Sequence, residues 1–187
     1  MLSRPMIVNS ADYAFEMPTS MLEFDPAKPC QPSPFRHMIL HYQLCVSLAK
    51  AISSVAANSL STELAPRMRH AVKGWLACLP DEYAANNPDT KWDNEYDWVV
   101  FQHRYLQLIA YMSLFVPLKP YVTRSSERPL SALEDDLQRT GVQAALDLMK
   151  VSWDLFENVA STGAKFHYSV FCIFDTTTVL CSAFVHD

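Results

Sequence analysis

The sequence predicts an all-α fold, an irregular multi-helix domain preceded by an extended proline-rich N-terminal arm. Three observations carry this reading. The 187 residues include only three glycines, Gly74, Gly141 and Gly163, too few for a sheet rich in hairpins, whose tight turns use backbone angles that glycine adopts at least cost. Six of the twelve prolines fall within residues 1–34, and the other six stand between segments of helical periodicity. Within those segments apolar residues recur at steps of three and four, the pattern of a helix with one buried face.

Residues 1–34 include the stretch Pro26-Ala-Lys-Pro-Cys-Gln-Pro-Ser-Pro34. Each proline lacks an amide donor and collides with the preceding helical turn, so this part is expected to be an extended or disordered leader, with residues 35–187 forming the helical domain. The first helix is expected from about Phe35 to Asn58, with Ser33 as its cap and Pro34 at its first position. Ile39, Val46, Ala49 and Val55 fall near one of its faces. A second helix, from near Pro66 to just before Pro80, sets Met68, Val72, Trp75 and Leu79 in one stripe. The polar stretch Asp81 to Lys91 reads as a loop. The third helix should span about Asn94 to Phe115, with Trp98, Phe101, Tyr105, Leu108, Met112 and Phe115 as its apolar row, and Pro117 and Pro120 end it.

Ser131-Ala-Leu-Glu134 has the form of a capping box, in which the serine oxygen and the glutamate carboxylate satisfy exposed backbone amides. A long helix to about Ala160 should follow, burying Leu137, Gly141, Ala144, Leu148, Val151 and Leu155. Gly141 and Ala144 are small enough to let another helix approach closely. The last segment, Phe166 to Val185, is apolar on nearly every side, which places it in the middle of a helical fold. Its length approaches that of a membrane span, but Asp175, three successive threonines and His167 make insertion costly, so no membrane partner is expected. A central helix at the end of the chain implies a domain truncated at its C-terminus.

Charge narrows the function. Fifteen Lys plus Arg stand against twenty Asp plus Glu, a net charge of -5, whereas nucleic-acid binders carry a basic stripe that meets phosphates. The densest basic run, Arg67-Met68-Arg69-His70 followed by Lys73, lies on an amphipathic helix and reads as a solvated face. No DNA-binding residue is assigned in this chain. The glycines are too far apart for a dinucleotide fingerprint or a phosphate-cradling loop. Cys30, Cys45, Cys78, Cys172 and Cys181 form no CxxC pair, which fits reduced thiols inside a cell, and the first ten residues lack the apolar core of a secretory signal.

The order of elements resembles a known family. A helix ending in Trp75-Leu-Ala-Cys-Leu-Pro80 is followed by a polar loop. The helix Phe101-Gln-His-Arg-Tyr-Leu-Gln-Leu-Ile-Ala-Tyr-Met-Ser-Leu-Phe-Val116 then runs into Pro117-Leu-Lys-Pro-Tyr-Val122. Next come the small-residue helix Gly141-Val-Gln-Ala-Ala-Leu-Asp-Leu-Met149 and the aromatic segment Phe166-His-Tyr-Ser-Val-Phe-Cys-Ile-Phe174. Together, over roughly residues 35 to 187, these resemble the fungal-specific transcription factor domain, the middle homology region of zinc binuclear cluster regulators. Trp75, Leu79, Pro80, Pro117, Pro120 and Tyr121 are the positions that match, with structural roles implied. At the turn, where a His-Arg-Pro-Tyr-like string is common in the family, this chain has Leu118-Lys119-Pro120-Tyr121. The six-cysteine DNA-binding cluster is absent, so zinc is implied only for that missing part and no cofactor for this chain.

The resemblance implies a nuclear, non-enzymatic regulatory part of a factor controlling RNA polymerase II transcription. A small-molecule effector or a protein partner is then expected, and a homodimer is open. The alternative is a free-standing helical module that holds a small apolar ligand or a partner helix.

Residues that could carry chemistry have plain structural readings. His37 and His41 lie one helical turn apart without a third metal ligand beside them, and no metal site is assigned. Glu134-Asp135-Asp136 opens a helix, where negative charge complements the macrodipole. Asp93 and Asp97 fit capping roles at a loop-to-helix junction. No Gly-x-Ser-x-Gly elbow occurs, His103 and His167 read as packing residues, and no catalytic residue is nominated. Asp175 lies among Phe171, Ile173, Phe174 and Val179, where an unpaired carboxylate would be expensive. It is either paired with an Arg or Lys from a neighbouring helix or the polar anchor of an effector pocket lined by aromatics.

Overall fold

The computed structural model describes residues 31–53, 63–124, 129–161 and 166–186. The leader expected over residues 1–34 lies outside them except for its last four residues, as do Val55 and Asn58 of the expected first helix. In chain order the elements are α1 (Arg36–Ser53), α2 (Leu64–Ala77), a 3-10 turn (Asp81–Tyr83), α3 (Asp97–Phe115), a second 3-10 turn (Val116–Leu118), the single-turn α4 (Lys119–Val122), α5 (Ala132–Ser161) and α6 (His167–His186). Among the described residues there is no strand, so the fold is all-α.

At the start of α1 the Ser33 hydroxyl accepts the Phe35 amide at 3.2 Å, the capping role its position suggests. The buried face differs from the expected one. Leu40 and Leu44 are buried and Leu48 packs against the core, while Ile39 and Val46 are half-buried and Ala49 is exposed. The leucines sit four apart and offer more apolar area than the row containing Ala49, so the helix rolls to bury them. The Trp75 indole then donates to the Leu40 carbonyl at 2.9 Å, joining α2 to α1. On α2 the expected stripe holds: Met68, Val72 and Trp75 are buried and Leu79 packs partly against the core. Pro66 lies in the first turn, where a missing amide costs nothing.

The helix in the middle is α3, not the last segment, and this is the main correction to the sequence reading. It packs against α5, α2 and α1 and buries ten of its residues, among them Gln102, His103 and Gln107. Those polar residues are tolerated because each finds a partner. Gln102 donates to the Pro34 carbonyl at 2.6 Å and accepts the Tyr83 hydroxyl at 2.7 Å, His103 meets the Ala84 carbonyl at 3.0 Å, and Gln107 donates to the Ala85 carbonyl at 3.2 Å. The polar loop after α2 therefore reaches the core through Tyr83, which is wholly buried, and through the Ala84 and Ala85 carbonyls. α3 begins at Asp97, with Tyr96 at the cap position and no side-chain cap bond, so the capping expected of Asp97 is not seen.

Pro117 and Pro120 do not stop the chain from coiling. Each falls at the start of a short helical turn, where no amide is needed, so α3 passes directly into α4. That turn lies on Gly141 of α5. A Cβ there would come within 2.5 Å of a Val122 methyl and 3.2 Å of the Leu118 Cβ, so the predicted close approach is real and has α4 as its partner. The capping box is formed: the Ser131 amide and hydroxyl each reach Glu134 Oε2 at 2.9 Å, and the Glu134 amide donates back to Ser131 Oγ at 3.3 Å. All six residues of the expected α5 row are buried.

By contrast α6, over its described side chains, buries Ser169, Cys172, Thr176 and Val179 and leaves Phe171, Phe174, Phe184 and Val185 exposed. Small residues line its contact with the bundle because they let the helix come close. Apolar composition alone did not mark the inner face.

Candidate functional site

A groove of about 580 Å3 opens between α1, α2, α3 and the start of α6. Its walls come from five elements: His41 from α1, Met68 from α2, Tyr105 and Met112 from α3, Val116 from the second 3-10 turn, and Phe166 and Tyr168 at the start of α6. The row of α3 expected to face the core is split by this groove. Leu108 and Phe115 are buried, whereas Phe101, Tyr105 and Met112 are half-buried. In the sequence this stripe of aromatics and methionine reads as packing. Its signal as a site is chemical only, since core and ligand walls use the same residue types.

The rings form a lattice. Tyr105 lies parallel to Phe101 at 6.1 Å between centroids and edge-on to Phe166 at 6.1 Å. His41 and His37 both stand edge-on to Tyr105 at 5.9 Å. Offset and edge-to-face pairs of this kind add to what area burial alone provides. Burial holds His37 and His41 below the ordinary imidazole range, so His41 meets the groove uncharged at neutral pH. Burial also raises the Tyr105 hydroxyl, with the nearby Cys45 adding to it. Ser113 is satisfied within its own helix, donating to the Ile109 carbonyl at 2.7 Å. What remains is a largely apolar wall of ring faces, ring edges and two thioethers, with the Tyr168 phenol and with the Tyr105 hydroxyl 3.5 Å from Nδ1 of the neutral His41 imidazole, which suits an uncharged, flat, mostly apolar ligand.

Asp175 is held in an ion pair with Lys119 of α4, the first of its two expected states. Lys119 also lies over the Phe115 ring at 5.2 Å. The carboxylate is not among the residues that line the groove. The resemblance positions hold the frame: Trp75 and Tyr121 are buried, and Leu79, Pro80 and Pro117 are half-buried, while Pro120 is exposed. Leu79 borders a second recess of about 460 Å3 with Lys73, Asp81 and Tyr111.

The remaining titratable candidates are engaged locally. Glu134 pairs with Arg124 besides closing the capping box. Asp135 meets Arg139 at 2.8 Å and Asp136 meets Arg69 at 2.9 Å. Arg69 thus leaves the basic run to tie α2 to α5, adding a bond to Thr140 Oγ1 at 3.0 Å. His37 meets the Pro34 carbonyl at 3.0 Å, whereas His167, expected to pack, is exposed. Among the described residues no three of His, Cys, Asp and Glu gather closely enough to hold a metal ion. No family model matches the chain, and neither a curated protein nor a solved structure matches it.

Proposed function

We propose that this chain is a non-enzymatic regulatory module of the fungal-specific transcription factor domain type, acting in the nucleus on RNA polymerase II transcription. DNA contact would belong to a zinc cluster outside this chain. The observation that carries the reading is where the resembling strings lie. Trp75 bonds α2 to α1, and Leu118 and Val122 of the proline-tyrosine turn press on Gly141, so the residues that prompt the resemblance are also the joints of the fold. The net charge of -5 supports a module that touches partners or effectors rather than phosphates.

The test is a fusion of residues 1–187 to an unrelated DNA-binding domain over a reporter in a fungal cell. A change in reporter output of several-fold, in either direction, is the expected result. A transcriptionally inert fusion that is expressed and folded defeats the proposal, as does specific, salt-resistant binding of the isolated chain to a short duplex.

A second reading is favoured by the groove: a helical module that binds a small, uncharged, apolar ligand. Thermal unfolding in the presence of a panel of neutral aromatic compounds tests it. Stabilisation by some member of the panel that is lost in Met112→Trp, which fills the groove, is the supporting result. No stabilisation by any member counts against it.

A further inference from the structure

The outer side of α6 carries a second helical seam that no other described element covers. Phe171, Phe174, Thr178, Cys181 and Val185 are all exposed, and their spacing of 3, 4, 3 and 4 is the repeat that lets one helix lie along another. The inner side of the same helix, Ser169, Cys172, Thr176 and Val179, already serves the bundle. The exposed fractions are large: 53% for Phe171, 71% for Phe174, 83% for the adjacent Phe184 and 80% for Val185. We infer that α6 pairs with the α6 of a second copy of this chain, antiparallel, about a two-fold axis at Thr178.

Four features select this occupant. The 3-4 repeat calls for a helix, and an isologous pair supplies one with the same repeat. Antiparallel pairing about Thr178 sets Phe171 against Val185 and brings Phe174 beside Cys181, large against small, as interdigitating side chains require. The seam is free of charge: the single charged residue between Phe171 and Val185 is Asp175, and it is held by Lys119. Nor does burying the seam strand a hydroxyl, because Thr177 and Thr178 donate to the Ile173 and Phe174 carbonyls at 2.7 and 2.9 Å.

The area also suffices. With aromatic side chains of roughly 200 Å2 each, the seam and Phe184 offer about 500 Å2 per copy, or roughly 1,000 Å2 in the pair, the lower bound of a specific interface. The inference rests on α6 alone and not on the transcriptional reading, and its test uses purified protein without a reporter.

Sedimentation equilibrium of the full chain should give a reversible dimer. Phe174→Glu should weaken it roughly 100-fold or more, since a charge would be buried in the seam, with helical content by circular dichroism unchanged because the site is exposed. A covalent check follows from the axis. With Cys30, Cys45, Cys78 and Cys181 replaced by serine, Thr178→Cys should oxidise to a disulfide-linked dimer. A chain that stays monomeric at high micromolar concentration overturns the inference. So does a dimer indifferent to Phe174→Glu, or a Thr178→Cys chain that does not cross-link. A chain that binds neutral phosphatidylcholine vesicles and never dimerises in their absence would assign the face to a lipid surface instead. Among the described residues α6 is long and apolar enough to cross a membrane.

Discussion

Tyr83 shows how single residues hold distant parts of this chain together. Its hydroxyl donates to Gln102, which donates in turn to the Pro34 carbonyl, so a loop, the central helix and the end of the leader share one chain of hydrogen bonds running from the core to its edge. Burial raises the Tyr83 hydroxyl well above the ordinary phenol range, and it stays a donor. Tyr83→Phe leaves the Gln102 carbonyl oxygen without this donor and should cost about 1–3 kcal/mol in urea unfolding. His103 adds a pH dependence. Burial is the main cause that lowers it from 6.5, with Arg104 adding to the effect against the Ala84 hydrogen bond. The unfolded chain therefore takes up a proton before the folded one. That contribution to stability is present above pH 6.5 and is lost as the pH falls through the lowered folded value, by at most about 1.4 kcal/mol per pH unit for each such histidine. His103→Gln should flatten the acid limb of a plot of stability against pH, and an unchanged slope would place the effect elsewhere. That His103 packs was legible in the sequence, but the partners of Gln102 and His103 were not, because they lie 19 or more residues away.

At the scale of elements, α5 was read most fully. Its start and its buried row depend on a capping box and a helical repeat, both local in sequence. Ser131→Ala should remove about 1 kcal/mol by breaking the box, measured by chemical denaturation. Gly141 and Gly74 make a matched pair. Alanine is the better helix former by about 1 kcal/mol, and at Gly74 nothing lies within 4 Å of a new Cβ, so Gly74→Ala should stabilise by that order. At Gly141 the new Cβ would meet stiff, buried Val122, and overpacking typically costs about 1–3 kcal/mol. Gly141→Ala should therefore destabilise despite its propensity, and equal gains at both sites would show that α4 yields. The groove belongs to this scale too. The spacing of Tyr105, Met112 and their neighbours was legible as a stripe, but whether a stripe meets a helix or an opening depends on where α1 and α6 come to rest.

Across the whole molecule, stability should be graded outward from α3. Backbone amides of Gln102 to Ala110 are enclosed by other helices and should exchange with solvent most slowly in native-state hydrogen exchange. Amides near the C-terminal end of α6 should exchange fastest among the long helices, and a faster α3 would mean that the bundle opens through its centre. The sequence by itself determined that the chain is helical, where α2 and α5 lie and which of their faces are buried, since caps, prolines and the 3.6-residue repeat act over a few neighbouring positions. Only the tertiary structure decided which helix is central. Apolar α6 packs through its small residues and turns its phenylalanines outward, while α3, with two glutamines and a histidine, becomes the core once backbone carbonyls at Pro34, Ala84 and Ala85 satisfy them. Burial depends on what arrives on the other side, and no local pattern along the chain contains that.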